Sequence, residues 1–185
     1  MTLDKLLTDT KKRMEDTREH LRSELLKIRT GKAYPEMVRG IMVNYYGVPT
    51  PIEQVSNISA TDSRTLSIQP WDKGVIKDIE KAIIEANLGF NPMNDGDLIR
   101  IPVPPLTEER RKELVRQAKA QGEDGKVSIR SARKEAMDII KQGVKDGMSE
   151  DEGKRMEDQV EDLVKSFYKQ IDRMIEVKQD DIMTI

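Results

Sequence analysis

Between Leu106 and Val144, apolar or small residues recur at Val115, Ala118, Gly122, Gly125, Ile129, Ala132, Ala136, Ile139, Ile140 and Gly143. Steps alternating between three and four mark a helix packed on other helices. Pro104-Pro105-Leu106-Thr107-Glu108-Glu109 supplies its start. Proline is excluded from a helix interior, Thr107 can cap, and the glutamates suit the positive end of the helix dipole. Unbroken, this helix is about 38 residues long, roughly 57 Å at 1.5 Å per residue. Gly122 and Gly125 each disfavour it by about 1 kcal/mol relative to alanine, so its continuity is the point to check.

Two further stretches share the pattern. Leu3, Leu6, Thr10, Met14, Thr17, Leu21, Leu25 and Ile28 predict a first helix, capped by Thr2 and stopped at Thr30-Gly31 with Gly31 as its C′ glycine. Ser149 with Glu152 three residues on reads as a capping box. Met156, Val160, Leu163, Phe167, Ile171, Met174, Lys178 and Ile182 then continue the heptad, with Lys178 its one break. Asp146-Gly147 is a short turn between the last two helices. The three stripes predict an elongated three-helix bundle.

From Lys32 to Pro105 the period changes to short apolar runs punctuated by proline and glycine. Ile41–Tyr45 and Val48–Thr50 flank a hairpin turn at Tyr46-Gly47. Val55–Ser59 and Thr65–Gln69 read as strands joined around Thr61-Asp62-Ser63. Asp72 precedes a helix with Val75, Ile76, Ile79, Ala82, Ile83 and Ala86 on one face. Asn91-Pro92 and Asn94-Asp95-Gly96 are turns, and Leu98–Val103 is a last strand. The class is α+β: residues 31–105 form a small domain inserted into a bundle of residues 1–30 and 106–185. The chain crosses between them twice. Thr30 and Gly31 on the way out, with Pro102, Pro104 and Pro105 on the return, are the candidate hinge; a fixed elbow is the alternative.

Composition narrows the chemistry. Cysteine is absent and there is one histidine, His20, which excludes thiol chemistry and argues against a histidine metal site. The N-terminus has no apolar signal core and no run is long enough to span a membrane, so the chain reads as a soluble cytoplasmic protein. No nucleophile is paired with a base and no carboxylate pair sits in a recognisable cleft, which disfavours an enzyme. Gly31-Lys32 lacks the glycine pattern of a phosphate loop. Trp71 is expected to anchor the core of the small domain. Alternation is expected to bury one of Tyr45 and Tyr46. His20 is expected to be exposed.

The net charge of −2 conceals an asymmetry: residues 106–134 carry +4 and residues 135–185 carry −6. At roughly 100° per residue, Lys112, Lys119, Lys126, Arg130, Arg133, Lys134 and Lys141 fall in a sector about 100° wide bordering the core stripe. A line of cations along a rigid rod suits a phosphate backbone, and the Arg130-Ser131-Ala132-Arg133 run favours that reading. A solvated face balanced by the acidic third helix gives the same pattern. So does a helical scaffold that binds proteins through that acidic helix, with no RNA role.

The chain also resembles the bacterial ribosome recycling factor family. The resemblance rests on Leu26-Lys27-Ile28-Arg29-Thr30-Gly31-Lys32-Ala33, Tyr45-Tyr46-Gly47, Thr50-Pro51-Ile52 and Pro70-Trp71-Asp72. Ile79-Glu80-Lys81-Ala82-Ile83, Leu88-Gly89-Phe90-Asn91-Pro92, Asp95-Gly96, Leu106–Lys112 and Val127-Ser128-Ile129-Arg130 complete it, in the family's order. It implies a three-helix bundle with a small α/β sandwich domain, L-shaped and tRNA-like. It also implies a monomer that binds large-subunit ribosomal RNA in the intersubunit space of the 70S ribosome after termination. Elongation factor G, the partner that uses GTP, then drives the small domain so that the subunits split and messenger RNA and deacylated tRNA leave. The factor needs no cofactor or metal and catalyses no covalent step. Arg130 and Arg133 match the family's RNA-facing arginines; Arg29 and Gly31 match its elbow and tip region. Lys112, Lys119, Lys126 and Lys134 join them as expected rRNA contacts. Lys32 stands where arginine is usual, Tyr34 replaces a small hydroxyl residue, and Lys134-Glu135 replaces an Arg-Asp pair.

Overall fold

The computed structural model describes residues 3–184, so the expected Thr2 cap lies outside the described residues. The chain separates into two compact units, one of residues up to Thr30 with those from Glu108 on, the other Gly31–Thr107.

The first unit is a bundle of α1 (Leu3–Leu26), α4 (Glu108–Lys145) and α5 (Glu150–Met183). Helix α4 is unbroken over 38 residues, glycines included. Its buried stripe is Arg111, Leu114, Ala118, Gly122, Gly125, Ile129, Ala132, Ala136 and Ile140. Both glycines face α5, but space requires only the one at 122. A Cβ on Gly122 would lie 2.7 Å from Ile175 Cγ1, whereas one on Gly125 would meet Ile171 Cδ1 at 3.5 Å, an ordinary contact. Close helix approach thus offsets the propensity cost of the glycine at 122.

Helix α1 stops at Leu26, short of the expected Thr30. Its end tightens instead: Lys27 N–H donates to Glu24 O and Ile28 N–H to Leu25 O, which brings Ile28 into the core. Gly31 lies in the connection beyond, at φ +76°, and is therefore no C′ cap of this helix. Ser149 caps α5, its hydroxyl accepting from Glu152 N–H. In the α5 stripe, Val164 takes the fully buried place expected of Leu163. Lys178 is half-buried, and desolvation lowers its ammonium pKa below the ordinary lysine range, with Asp181 opposing the shift.

The second unit holds the hairpin β1 (Met42–Tyr45) and β2 (Val48–Pro51), and a four-stranded antiparallel sheet. That sheet comprises β3 (Ser56–Asp62), β4 (Thr65–Pro70), β5 (Met93–Asn94) and β6 (Ile99–Pro102), in the order β3-β4-β6-β5. Tyr46 and Gly47 sit at φ 48° and 88°, the left-handed pair a two-residue hairpin turn demands. Helix α3 (Ile76–Glu85) follows a 3-10 turn capped by Asp72, whose carboxylate accepts from Gly74 N–H. Val43, Ile52, Leu66, Ile68, Ile79, Ile83, Ile99 and Ile101 fill the core.

The strand bounds differ from expectation, most of all at β3, and β5 forms where only turns are expected. Val55 belongs not to β3 but to a single helical turn, α2 (Ile52–Val55), closed where Ser56 Oγ donates to Ile52 O at 2.7 Å. Strand β3 then runs on to Asp62, so the turn falls at Ser63-Arg64, where Asp62 Oδ1 accepts from Arg64 N–H. Strand β6 spans Ile99–Pro102 rather than Leu98–Val103. A Cβ at Gly31 would fall 2.8 Å from Leu106 Cγ, so the first and last segments of this unit touch.

The two buried glycines of α4 are expected to respond oppositely to alanine. Gly122→Ala should destabilise by about 1–3 kcal/mol through overpacking. Gly125→Ala, which fits, should stabilise by about 1 kcal/mol. Chemical denaturation of the two variants checks the pair.

Candidate nucleic-acid interface

The seven predicted cations lie along α4 at the edge of its core stripe, and they divide by environment. Two sit on the border with α5 and are held there. Lys126 Nζ is 2.6 Å from Asp172 Oδ1 and 5.8 Å from the centre of the Tyr168 ring. The Arg133 guanidinium donates through Nε to Glu161 Oε1 at 2.8 Å and through Nη2 to the same oxygen. The hydrogen bond it donates to Asp172 holds the Lys126 ammonium above its usual range, and the bond to Glu161 does the same for Arg133.

Farther round the helix the cations face water. Lys112 pairs within its own helix with Glu108 at 2.7 Å, and that bond lowers the Glu108 carboxyl. Lys119, Arg130, Lys134 and Lys141 are exposed and form no ion pair among the described residues. Arg130 therefore sits between two occupied cations, Lys126 and Arg133, with its own guanidinium open. Arg29 is exposed beyond the end of α1. Helix α1 runs antiparallel to α4, with Leu6 beside Ala136 and Ile140 and Leu21 beside Gly125. Arg29 thus belongs to the end of the bundle where α4 begins, away from the Arg130 turn.

Sequence reasoning does not find Glu161, Asp172 and Tyr168, which decide how two of the cations are presented. Nor does it find Arg111, which is only 9% exposed and donates through Nη1 to the Met183 carbonyl at 3.3 Å. Arg111 occupies the core stripe three residues before Leu114, so the period locates it while its residue type argues against burial.

The hinge candidates are equally uneven. Thr30-Gly31 lies where the chain leaves the bundle. Pro102 ends β6 opposite Thr65, and Val103 N–H donates to Arg64 O at 2.7 Å. The return stretch free of the sheet therefore begins after Val103 and contains Pro104 and Pro105, but not Pro102.

Three aromatic residues lie on the surface of the small unit. Trp71 is 70% exposed and Tyr46 69%, and Tyr45 is exposed as well. Trp71 is not a core anchor: alternation from Ile68 and Pro70, both inward, turns it outward. Neither tyrosine enters the core: Tyr45 is the last residue of β1 and Tyr46 stands in the left-handed turn. Tyr46 Oη instead donates to Asp72 Oδ2, and its ring meets that of Tyr45 edge-on at 4.9 Å. That bond raises the Tyr46 phenol and lowers the Asp72 carboxyl. His20 is exposed, as expected.

Sequence comparison places this geometry in a family. The profile described as Ribosome recycling factor matches residues 21–183. The chain belongs to the ribosome recycling factor family. The ribosome-recycling factor of Cytophaga hutchinsonii is 50% identical over 179 residues, covering 97% of this chain and 96% of that protein. That of Flavobacterium johnsoniae is 48% identical over 183 residues, covering 99% and 98%. A solution structure of a ribosome recycling factor aligns with TM-score 0.75 at 36% identity, over 100% of this chain and 99% of that one. The T. thermophilus ribosome recycling factor, in a structure with E. coli elongation factor G bound to the E. coli post-termination complex, aligns with TM-score 0.63 at 42% identity, covering 99% and 100%. The bundle with its small antiparallel sheet unit is thus the architecture of a translation factor family.

Exposure of Trp71 has a measurable consequence. Trp71→Ala should lower stability by no more than about 0.5 kcal/mol, whereas Ile68→Ala in the preceding strand should cost about 2–5 kcal/mol. Denaturant titration followed by circular dichroism compares them.

Proposed function

We propose that this chain recycles ribosomes after termination, docking its bundle on large-subunit ribosomal RNA through the exposed cations of α4. The observation that carries the reading is family membership over nearly the whole chain, including a relative bound with elongation factor G to a post-termination complex. The geometry supports it: Lys119, Arg130, Lys134 and Lys141 form an open row on one continuous 38-residue helix. A-form RNA is met mainly through shape and backbone, so such a row needs no base-reading motif. Arg133, Lys126, Lys112 and Arg29 extend the surface.

In this reading the two chain crossings are hinges. Thr30-Gly31 absorbs dihedral change, and Pro104-Pro105 is a stiff tether. Elongation factor G, which uses the GTP, moves the small unit about them in the cytoplasm. The subunits then part, and messenger RNA and deacylated tRNA are freed. The chain acts as a monomer, without cofactor or metal, and carries out no covalent chemistry.

Two experiments test the proposal. In ribosome pelleting over a salt series, the wild-type chain should bind, and binding should weaken steeply with salt. Arg130→Ala combined with Lys134→Ala should flatten that log–log slope by about one unit per residue. Unchanged slope and affinity in a folded double variant would remove these residues from the interface. In subunit splitting with elongation factor G and GTP, a covalent cross-link joining the two units should abolish splitting while sparing ribosome binding. Full splitting by the cross-linked protein would refute the hinge.

A further inference from the structure

We infer that Glu161 and Asp172 of α5 are specificity-determining residues: they occupy Arg133 and Lys126 in the free protein as stand-ins for RNA phosphates. The inference rests on the RNA-docking reading of α4. What carries it is the division of that helix into an open row and an occupied row.

The occupied cations lie seven residues apart on α4, about 10 Å or two turns. Each is covered by one carboxylate from the neighbouring helix, Asp172 on Lys126 and Glu161 on Arg133. Tyr168 lies between the two pairs in the α5 sequence and takes Lys126 on its ring face. A carboxylate and a phosphate offer a guanidinium the same kind of paired oxygen acceptor. Glu161 holds the Nε–Nη2 edge of Arg133 through one oxygen, so an RNA phosphate that takes that edge must replace Glu161. The exchange is feasible because neither pair is deeply buried: side-chain exposure is 43% for Arg133 and 36% for Glu161, 22% for Lys126 and 64% for Asp172.

The consequence is selectivity. A flexible polyanion finds the open row of Lys119, Arg130, Lys134 and Lys141, and meets two negative charges at its edge. A rigid RNA that fits the rod can deliver phosphates to both occupied cations at once and displace both carboxylates. Repulsion of the wrong partner is thereby built in beside attraction of the right one. The other acids paired along this face act differently. Glu108 pairs with Lys112 within α4 itself, and Glu123 stands 3.9 Å from Lys126 as a weaker second partner.

The test compares Glu161→Gln with Asp162→Asn. Both remove one negative charge from adjacent α5 positions. Asp162 lines a different groove, with Leu7 and Lys11 of α1. Binding is measured to poly(U), as a generic polyanion, and to vacant ribosomes, over a salt series, with thermal melting to confirm folding. Glu161→Gln should tighten poly(U) binding severalfold and steepen its log–log salt slope by about 0.7, the value for one more single-strand phosphate. Ribosome binding should change less, so the ratio of ribosome to poly(U) affinity falls. Adding Asp172→Asn should repeat the step, while Asp162→Asn should leave the ratio near that of the wild type. Equal effects of Glu161→Gln and Asp162→Asn would overturn the inference in favour of general charge. Weaker poly(U) binding by Glu161→Gln would also overturn it, since the carboxylate would then be orienting Arg133 for use. Failure of the wild-type chain to bind ribosomes would sink the docking reading separately, since the poly(U) series still reports whether Glu161 screens Arg133.

Discussion

The packing of α4 against α5, tightest for a side chain at Gly122, underlies what the bundle presents. Where α4 lacks a side chain, Ile171 and Ile175 of α5 come up against its backbone. That contact leaves no room for a side chain at this point of α4. The positions flanking it, Lys126 on one helix and Asp172 on the other, are then near enough to pair. Seven residues farther along α4, Arg133 meets Glu161. The packing of α5 along α4 thus brings acids to two of the surface cations and leaves four without an ion pair among the described residues. Surface charge in this protein is a product of interior shape rather than of composition alone.

The bundle is legible in the sequence because its information is local. Apolar positions every three or four residues, a serine cap before α5 and a glycine turn between α4 and α5 all act within a few residues of where they are seen. Sequence reasoning fails where a side chain's nature is weighed above its place in the period. Arg111 falls on the core stripe, and its charge hides it. Trp71 falls on the outward phase just past the end of β4, and its bulk argues wrongly for the core. The turn at Ile52–Val55 escapes for a different reason: four residues carry too little periodicity to separate a helical turn from the start of a strand.

The candidate interface is only half visible in advance. The sector of seven cations can be drawn from helical geometry alone, and the structure keeps it on one face. Its division into open and occupied rows cannot, because that depends on which acids a second helix supplies across a contact far away in sequence. Family resemblance suggests a partner without distinguishing the two rows. Side-chain positions distinguish them without naming a partner.

The small unit carries a further implication in its seam. Gly31, in a left-handed conformation, lies directly against Leu106, so the segments that begin and end this unit touch. A module whose ends meet can be set into another protein's chain through one short break, without stretching either partner. The bundle, for its part, needs only to tolerate an interruption between α1 and α4. The chain therefore has the construction of a cassette in a rod. The glycine and the leucine are what close the cassette.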